Sequence, residues 1–334
     1  MTSIGRTART GVRRFAVLLV VSLGLSACGP THHALAPLTV DAVPSSTIAT
    51  PLTATGCATQ QCWAVGTTTV QGVTSTVAEL RSLNGQWSPV TVPTVSGSFD
   101  ASACLDTTCF FGGAADGHDL LWSASNDTGA VTPLESGDGS GIVALTCTTT
   151  QCLAVDRSAA GDARLVNLSD QTSTSIAAIA PTDTINALSC ATATQCWVAT
   201  TTTTGTAALW STTDGTTWTP VAVPSWTTIS SLSCAPTCLA LVSDGHADSL
   251  ARQTSTGWST VPLPFAASAL SCTTTQHCAI VGHHLDGSGA AILWRRDHVQ
   301  PVILHYAPTP LTAVGCSDSD CVAVGATTLV SLRP

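Results

Sequence analysis

"CTTTQCLAV", residues 147–155, sets two cysteines around four small polar residues and follows them with an apolar run. Six kindred stretches lie elsewhere: "CATQQCWAVG" (57–66), "CLDTTCFFGG" (104–113), "CATATQCWVAT" (190–200), "CAPTCLALV" (234–242), "CTTTQHCAIVG" (272–282) and "CSDSDCVAVG" (316–325). Successive copies start 38 to 47 residues apart. A period near 40–45 residues with strand-forming content is the sign of β-propeller blades, whose faces bury apolar surface only against their neighbours.

One repeat reads cleanly as four strands. "INALSC" (185–190) is the first, "CWVATTTT" (196–203) the second and "TAALWSTT" (206–213) the third. "DGTT" (214–217) is a tight turn, and "WTPVAVP" (218–224) is the fourth strand. Alternation, β-branched residues and Gly/Asp punctuation support each assignment. After Cys321 the last repeat keeps only enough chain for strands two and three. "LAPLTVDAVP" (35–44) has the strand-four pattern and precedes the first complete repeat, so it is expected to close the ring beside residues 327–333. Closure removes an open sheet edge. The predicted fold is therefore all-β: a seven-bladed propeller over residues 35–334, with four-stranded antiparallel blades and no helix beyond one turn.

The chain has 15 cysteines. Fourteen fall into close pairs: Cys57 with Cys62, Cys104 with Cys109, Cys147 with Cys152, Cys190 with Cys196, Cys234 with Cys238, Cys272 with Cys278, and Cys316 with Cys321. Between three and five residues separate the partners. A hairpin loop tolerates that variation better than a metal site does. Each pair is read as two facing positions flanking a β-turn, within reach of a disulfide. Such a loop contributes roughly 2 kcal/mol in the chain-entropy model and often less in practice. The bonds are expected to staple the turns locally rather than to supply core.

Cys28 is the odd one. Residues 1–14 are basic, an apolar run from Phe15 to Leu25 follows, and "LSAC" ends at Cys28. The run is too short for a permanent span, which needs about 20 residues, and has the length of a signal-peptide core. "LSAC" resembles the bacterial lipobox. That resemblance implies a signal peptide over 1–27, a lipid on the Cys28 thiol, a short tether over 28–34, and attachment to the outer face of the cytoplasmic membrane. Export permits disulfides.

"STTDGTTWTP" (211–220) resembles an Asp-box of BNR-type repeats through Thr212, Asp214, Gly215, Thr217 and Trp218, with one residue missing between Asp214 and Gly215. Other repeats keep traces, such as Asn84, Gly85 and Trp87. The resemblance implies a structural role: Asp caps its own turn, as Asp readily does, and Trp packs between blades. Sialidases share the Asp-box. They use an arginine triad, a tyrosine nucleophile and a glutamate partner. Here the one tyrosine is Tyr306, the two glutamates are Glu79 and Glu135, and the arginines lie in no matching string. A likeness to seven-bladed BNR-repeat photosystem assembly proteins lacks a counterpart to their basic arginine patch.

The formal charge is −9, there is no lysine, and without the N-terminal arginines seven arginines face 20 acids. That balance repels a phosphate backbone and argues against nucleic-acid binding. Five of nine histidines, His277, His283, His284, His298 and His305, fall in the sixth repeat, but adjacent His283 and His284 would point to opposite strand faces. No metal and no cofactor is expected. The expected activity is that of a monomeric, non-enzymatic binding or scaffold module for an unknown protein or glycan. The rival is a cell-envelope glycan hydrolase or lyase. A convergent acidic cluster with a raised carboxyl pKa favours the rival; a ring centre lined by Thr, Ser and Ala favours the binder.

Overall fold

The computed structural model describes residues 39–43 and 51–333, apart from residues 59–60, 72, 84, 94, 135–137, 236, 275–276, 296–297, 303–306, 318–319 and 327. The expected signal segment (1–27), Cys28 and its tether (28–34), Glu135, His305 and Tyr306 lie outside the described residues. Seven four-stranded antiparallel sheets follow one another along the chain. Blade 4 is typical, with Thr184–Cys190 innermost, then Cys196–Thr201, Ala207–Thr212 and Thr219–Val221 outermost. Blade 7 takes three strands from the C-terminal end, Leu311–Cys316, Cys321–Gly325 and Leu329–Arg333, and its outer strand, Thr39–Val43, from the N-terminal end. The register runs from Thr39 opposite Arg333 to Val43 opposite Leu329. The expected closure is therefore present, with Thr39–Val43 as its described core.

Apolar burial is divided among the seven junctions between consecutive blades. Leu153, Leu165 and Ile176 of blade 3 meet Ile185, Val198 and Trp218 of blade 4. At the closing junction Leu52, Cys62 and Ala64 meet Val322, Val324 and Leu329. Among the described residues the blade 2/blade 3 junction has the smallest fully buried apolar set: Ala101, Leu121, Ile142, Leu145 and Ala154. The outer strands are short, and five contain a proline: Pro89, Pro133, Pro220, Pro262 and Pro301. Proline removes a ladder donor, so these edges resist pairing with another chain.

All seven predicted cysteine pairs are bonded, with Cα separations of 4.0 to 4.1 Å. Cys57 is joined to Cys62, Cys104 to Cys109, Cys147 to Cys152 and Cys190 to Cys196. Cys234 is joined to Cys238, Cys272 to Cys278 and Cys316 to Cys321. In every blade the two residues face each other across the first and second strands. Because neighbouring strands alternate in direction, the seven bonds lie at one end of the ring. The opposite end is built from the turns between second and third strands and the connections between blades.

The expectation that these bonds are only local staples at turns needs correction. The cysteine that opens the second strand is buried in six blades: Cys62, Cys109, Cys196 and Cys238 at 0 % exposure, Cys152 at 2 % and Cys278 at 3 %. Cys278 packs with Ile280 and Trp294 in the blade 5/blade 6 core, and Cys196 with Val198 and Trp218 in the blade 3/blade 4 core. The second strand lies inside its sheet with a neighbouring blade on each face, so its first residue is covered even beside a loop. These sulfurs therefore act as small hydrophobic core groups as well as cross-links.

At the opposite end each innermost strand carries a β-bulge. The register slips at Thr53, Asp100, Val143, Asn186, Ser230, Ser268 and Thr312, four residues before each first cysteine. Facing the residue before the bulge, the second strand has glycine in four blades: Gly66, Gly113, Gly282 and Gly325. A methyl group at any of these would run into a carbonyl oxygen of the adjoining chain, such as that of Ser98 opposite Gly113. In blade 3 the position is Asp156 instead.

Candidate functional site

A bulge leaves its extra residue out of the ladder and re-aims its side chain. Repeated in seven blades at one depth, it rings the channel axis. The channel end beside the bulges is a cup of about 240 Å³. Thr53, Asp100, Asn186, Ser230, Ser268 and Thr312 line its rim, together with Val143. Small residues such as Ala144 and Ala187 come next, and Leu145, Leu188, Leu232, Leu270 and Val314 line it deepest. Among the described residues no arginine, lysine or histidine lines the cup, and Asp100 is the one charged side chain that does.

A second cluster sits near the same end, in the thin junction between blades 2 and 3. Asp156, 1 % exposed, receives two hydrogen bonds from Arg164: Nε to Oδ1 at 2.9 Å and Nη2 to Oδ2 at 2.5 Å. The third guanidinium nitrogen donates to Asp138 Oδ1 at 2.5 Å. Asp119, 6 % exposed, accepts the Gly141 amide at 2.8 Å and lies close enough to the Asp156 carboxyl to feel its charge. The connection wraps closely because residues 139 and 141 are glycines. A methyl on Gly139 would collide with the Asp119 carboxylate, and Gly141 has φ +140°. A cavity of about 100 Å³ adjoins the cluster.

Burial, and then the charge of Asp156, push the Asp119 carboxyl up to about 6, while the Gly141 amide and Arg164 oppose the shift. Asp138 is held low, chiefly by its bond from Arg164. The raised carboxyl in an acidic cluster is the feature expected of a hydrolase. Its geometry is different. Glycoside hydrolysis needs two carboxyls separated by about 5 Å or more, with substrate or water between. Asp156 is spent on Arg164, and Asp119 accepts the Gly141 amide. The cluster docks one blade onto the next. Asp248 does the same with one charge, accepting the Ala267 amide across the blade 5/blade 6 junction at 2.8 Å.

A carboxyl raised on folding stabilises the fold most below its unfolded pKa of about 3.9, and that stability is lost as pH climbs through about 6. Asp119→Asn keeps an oxygen for Gly141 and a permanent donor for Asp156. Relative to the parent chain, this variant is expected to gain on the order of 1–3 kcal/mol between pH 4 and pH 7. Thermal melts at the two pH values check it; a difference independent of pH refutes the assignment.

The Asp-box-like residues form a capped turn. Asp214 Oδ1 accepts the amides of Thr216 (2.8 Å) and Thr217 (2.6 Å) and the Thr212 hydroxyl (3.0 Å). These bonds, the Thr217 amide first, hold its carboxyl well below the usual range. The Gly215 amide donates to Thr194 O at 3.0 Å, tying the turn to the disulfide loop, and Gly215 has φ +75°. Trp218 is buried between blades 3 and 4. Asp244 and Asp286 cap their own turns in the same way.

Among the described residues the arginines Arg81, Arg157 and Arg164 serve separate contacts. Arg81 pairs with Asp320 at 3.2 Å across the blade 7/blade 1 junction, and Arg157 donates to the carbonyls of Gly161 and Asp183. Glu79 stands half-buried in blade 1, its carboxyl raised by burial. His284 packs edge-on against Phe265. Among the described residues no three His, Cys, Asp or Glu side chains gather as a metal site would require. Sequence reading missed both the bulge ring and the acid–arginine cluster. The signal for the ring was present: an apolar residue, a variable one, then Ala or Ser, ending in cysteine three residues on, as in "LTATGC", "FDASAC" and "INALSC".

No family model matches the chain. No curated protein matches it either. Solved structures do. A structure described as YCF48 bound to D1 peptide aligns at 13 % identity and TM-score 0.60, over 89 % of this chain and 96 % of that one. A catalytically inactive virginiamycin B lyase from Staphylococcus aureus with quinupristin aligns at 8 % identity and TM-score 0.65, over 89 % and 100 %. The RRP9 WD40 repeats align at 12 % identity and TM-score 0.62, over 89 % and 99 %. At these identities the likeness shows the fold alone.

Proposed function

We propose that the protein is an exported, lipid-anchored binding or scaffold module without enzymatic activity. The observation that carries this reading is the polar cup at the centre of a rigid disulfide-stapled ring. Its lining is Thr, Ser, Ala and Asn with Asp100, backed by Leu and Val, and among the described residues it has no pair of carboxyls. Loops and channel mouths on rigid scaffolds are where recognition concentrates. Two proteins of similar fold are described in complex, one with a peptide and one with quinupristin. The chain enters the ring at Thr39, on the disulfide side of blade 7, eleven residues after Cys28.

The test is a pull-down from envelope extract with the detergent-solubilised full-length chain. Recovery of one stoichiometric partner, lost when Ser230→Trp fills the cup rim, supports the reading. Release of soluble sugar from wall material by the purified chain overturns it in favour of a glycan hydrolase or lyase. The anchor has its own readout: Cys28→Ser is expected to shift the chain from the detergent phase to the aqueous phase.

A further inference from the structure

The cup's charge is one-sided, and oxygens dominate its polar lining. Asn186 Nδ2 donates to Thr201 Oγ1 at 2.7 Å, which leaves its amide oxygen and one N–H free. Thr312 donates to the Val324 carbonyl at 3.3 Å, Ser231 to Leu270 O at 3.4 Å, and Ser102 to Thr55 O at 2.7 Å. Ser98 donates to Asp100 Oδ2 at 3.1 Å and orients that carboxylate. A hydroxyl that has given away its proton still has lone pairs to accept with. Thr312, Ser231 and Ser102 have therefore given their protons to the protein and present acceptors, while the Thr53, Ser230 and Ser268 hydroxyls are free to accept as well as to donate. The wall adds one carboxylate and no cation, in a chain with an excess of acids.

From this pattern, and resting on the binding-module reading, we propose that the cup binds a primary ammonium group carried on a small polar body. An ammonium has three donors and no acceptor, so it matches a ring of oxygens around Asp100. An anionic sugar or phosphate would bring negative charge to a carboxylate with no cation among the described lining residues to offset it. At about 30 Å³ for each water, the 240 Å³ cup holds several waters or one small molecule. The shared chemistry has two sources, a free amine such as an amino sugar or the lysine tip of a partner protein. The chain itself has no lysine to offer.

The experiment is calorimetric titration of the full-length chain with glucosamine, glucose, glucuronate and N-acetyl-lysine methylamide. Glucosamine is expected to bind roughly fivefold more tightly than glucose, the size of a solvent-accessible ion pair, and glucuronate not to compete. Asp100→Asn is expected to erase the preference with no change in melting temperature. Asn186→Asp is expected to widen it. Tighter binding of the lysine probe than of glucosamine supports a protein source, and the reverse supports a free amine. Equal binding of glucosamine and glucuronate, a preference that survives Asp100→Asn, or no binding of either amine overturns the proposal. Those results leave the module reading standing, because only sugar release from wall material refutes that.

Discussion

Complete reduction of the seven disulfides is expected to lower the melting temperature by roughly 15–30 °C. Each bond closes a loop of only four to six residues in sequence separation, for which the chain-entropy model gives about 2 kcal/mol and practice often about half that. The bonds lie in different blades, so their effects should largely add. At about 2–4 °C per kcal/mol for a domain of this size, seven such losses give the range stated. Six of the bonds have a sealed sulfur, at Cys62, Cys109, Cys152, Cys196, Cys238 and Cys278. Reductant added to the folded protein should therefore act slowly. The comparison belongs between protein refolded with thiols blocked and protein refolded under oxidising conditions, each followed by calorimetry. A shift of only a few degrees would show that the apolar junctions alone hold the ring. Free thiols in the oxidatively refolded product would refute the pairing itself.

Removing residues 1–43 is expected to abolish the cooperative melt and produce self-association. Removing only residues 1–34 should leave the melt unchanged. The longer truncation takes away Thr39–Val43 and strips five ladder positions from Leu329–Arg333. That turns an inner strand into an edge, and an exposed apolar strand edge is a template for pairing with another copy. It also separates the two ends of the chain at the one blade that joins them, so the closing junction of Leu52 and Ala64 against Val322, Val324 and Leu329 loses its clamp. The Arg81–Asp320 pair would be left to hold the two blades on the disulfide side. Size-exclusion chromatography and calorimetry read both outcomes, and adding a peptide of residues 35–44 in trans should restore the monomer. A monomeric ring with an unchanged melt in the longer truncation would refute closure by this strand.

The fold was legible because its determinants are local and repeated. Cysteine spacing, β-branched alternation and Asp-Gly turns each act over fewer than ten residues, and seven copies let the weak blades borrow certainty from the clear one. Strand ends were less legible. The fourth strand of blade 4 was expected over 218–224 and spans Thr219–Val221. Prolines at 220 and 224 supply no ladder donor, and Trp218 turns inward to pack instead. The burial of Cys152 and Cys278 was not legible either, because a cysteine beside a polar loop looks exposed until the neighbouring blade covers it.

The sequence alone determined the blade count, the cysteine partners, the antiparallel order and the strand that closes the ring, since each follows from spacing along the chain and the period-2 direction of strand side chains. Only the tertiary structure decided where the chemistry lies. Asp119, Asp156 and Arg164 come from two blades, and nothing in their spacing says that they share a buried cluster. Asp100, Asn186 and Thr312 come from blades 2, 4 and 7, and closing the circle is what turns them onto one axis. Wherever a site is assembled from one residue per repeat, its geometry belongs to the ring and not to any segment of the chain.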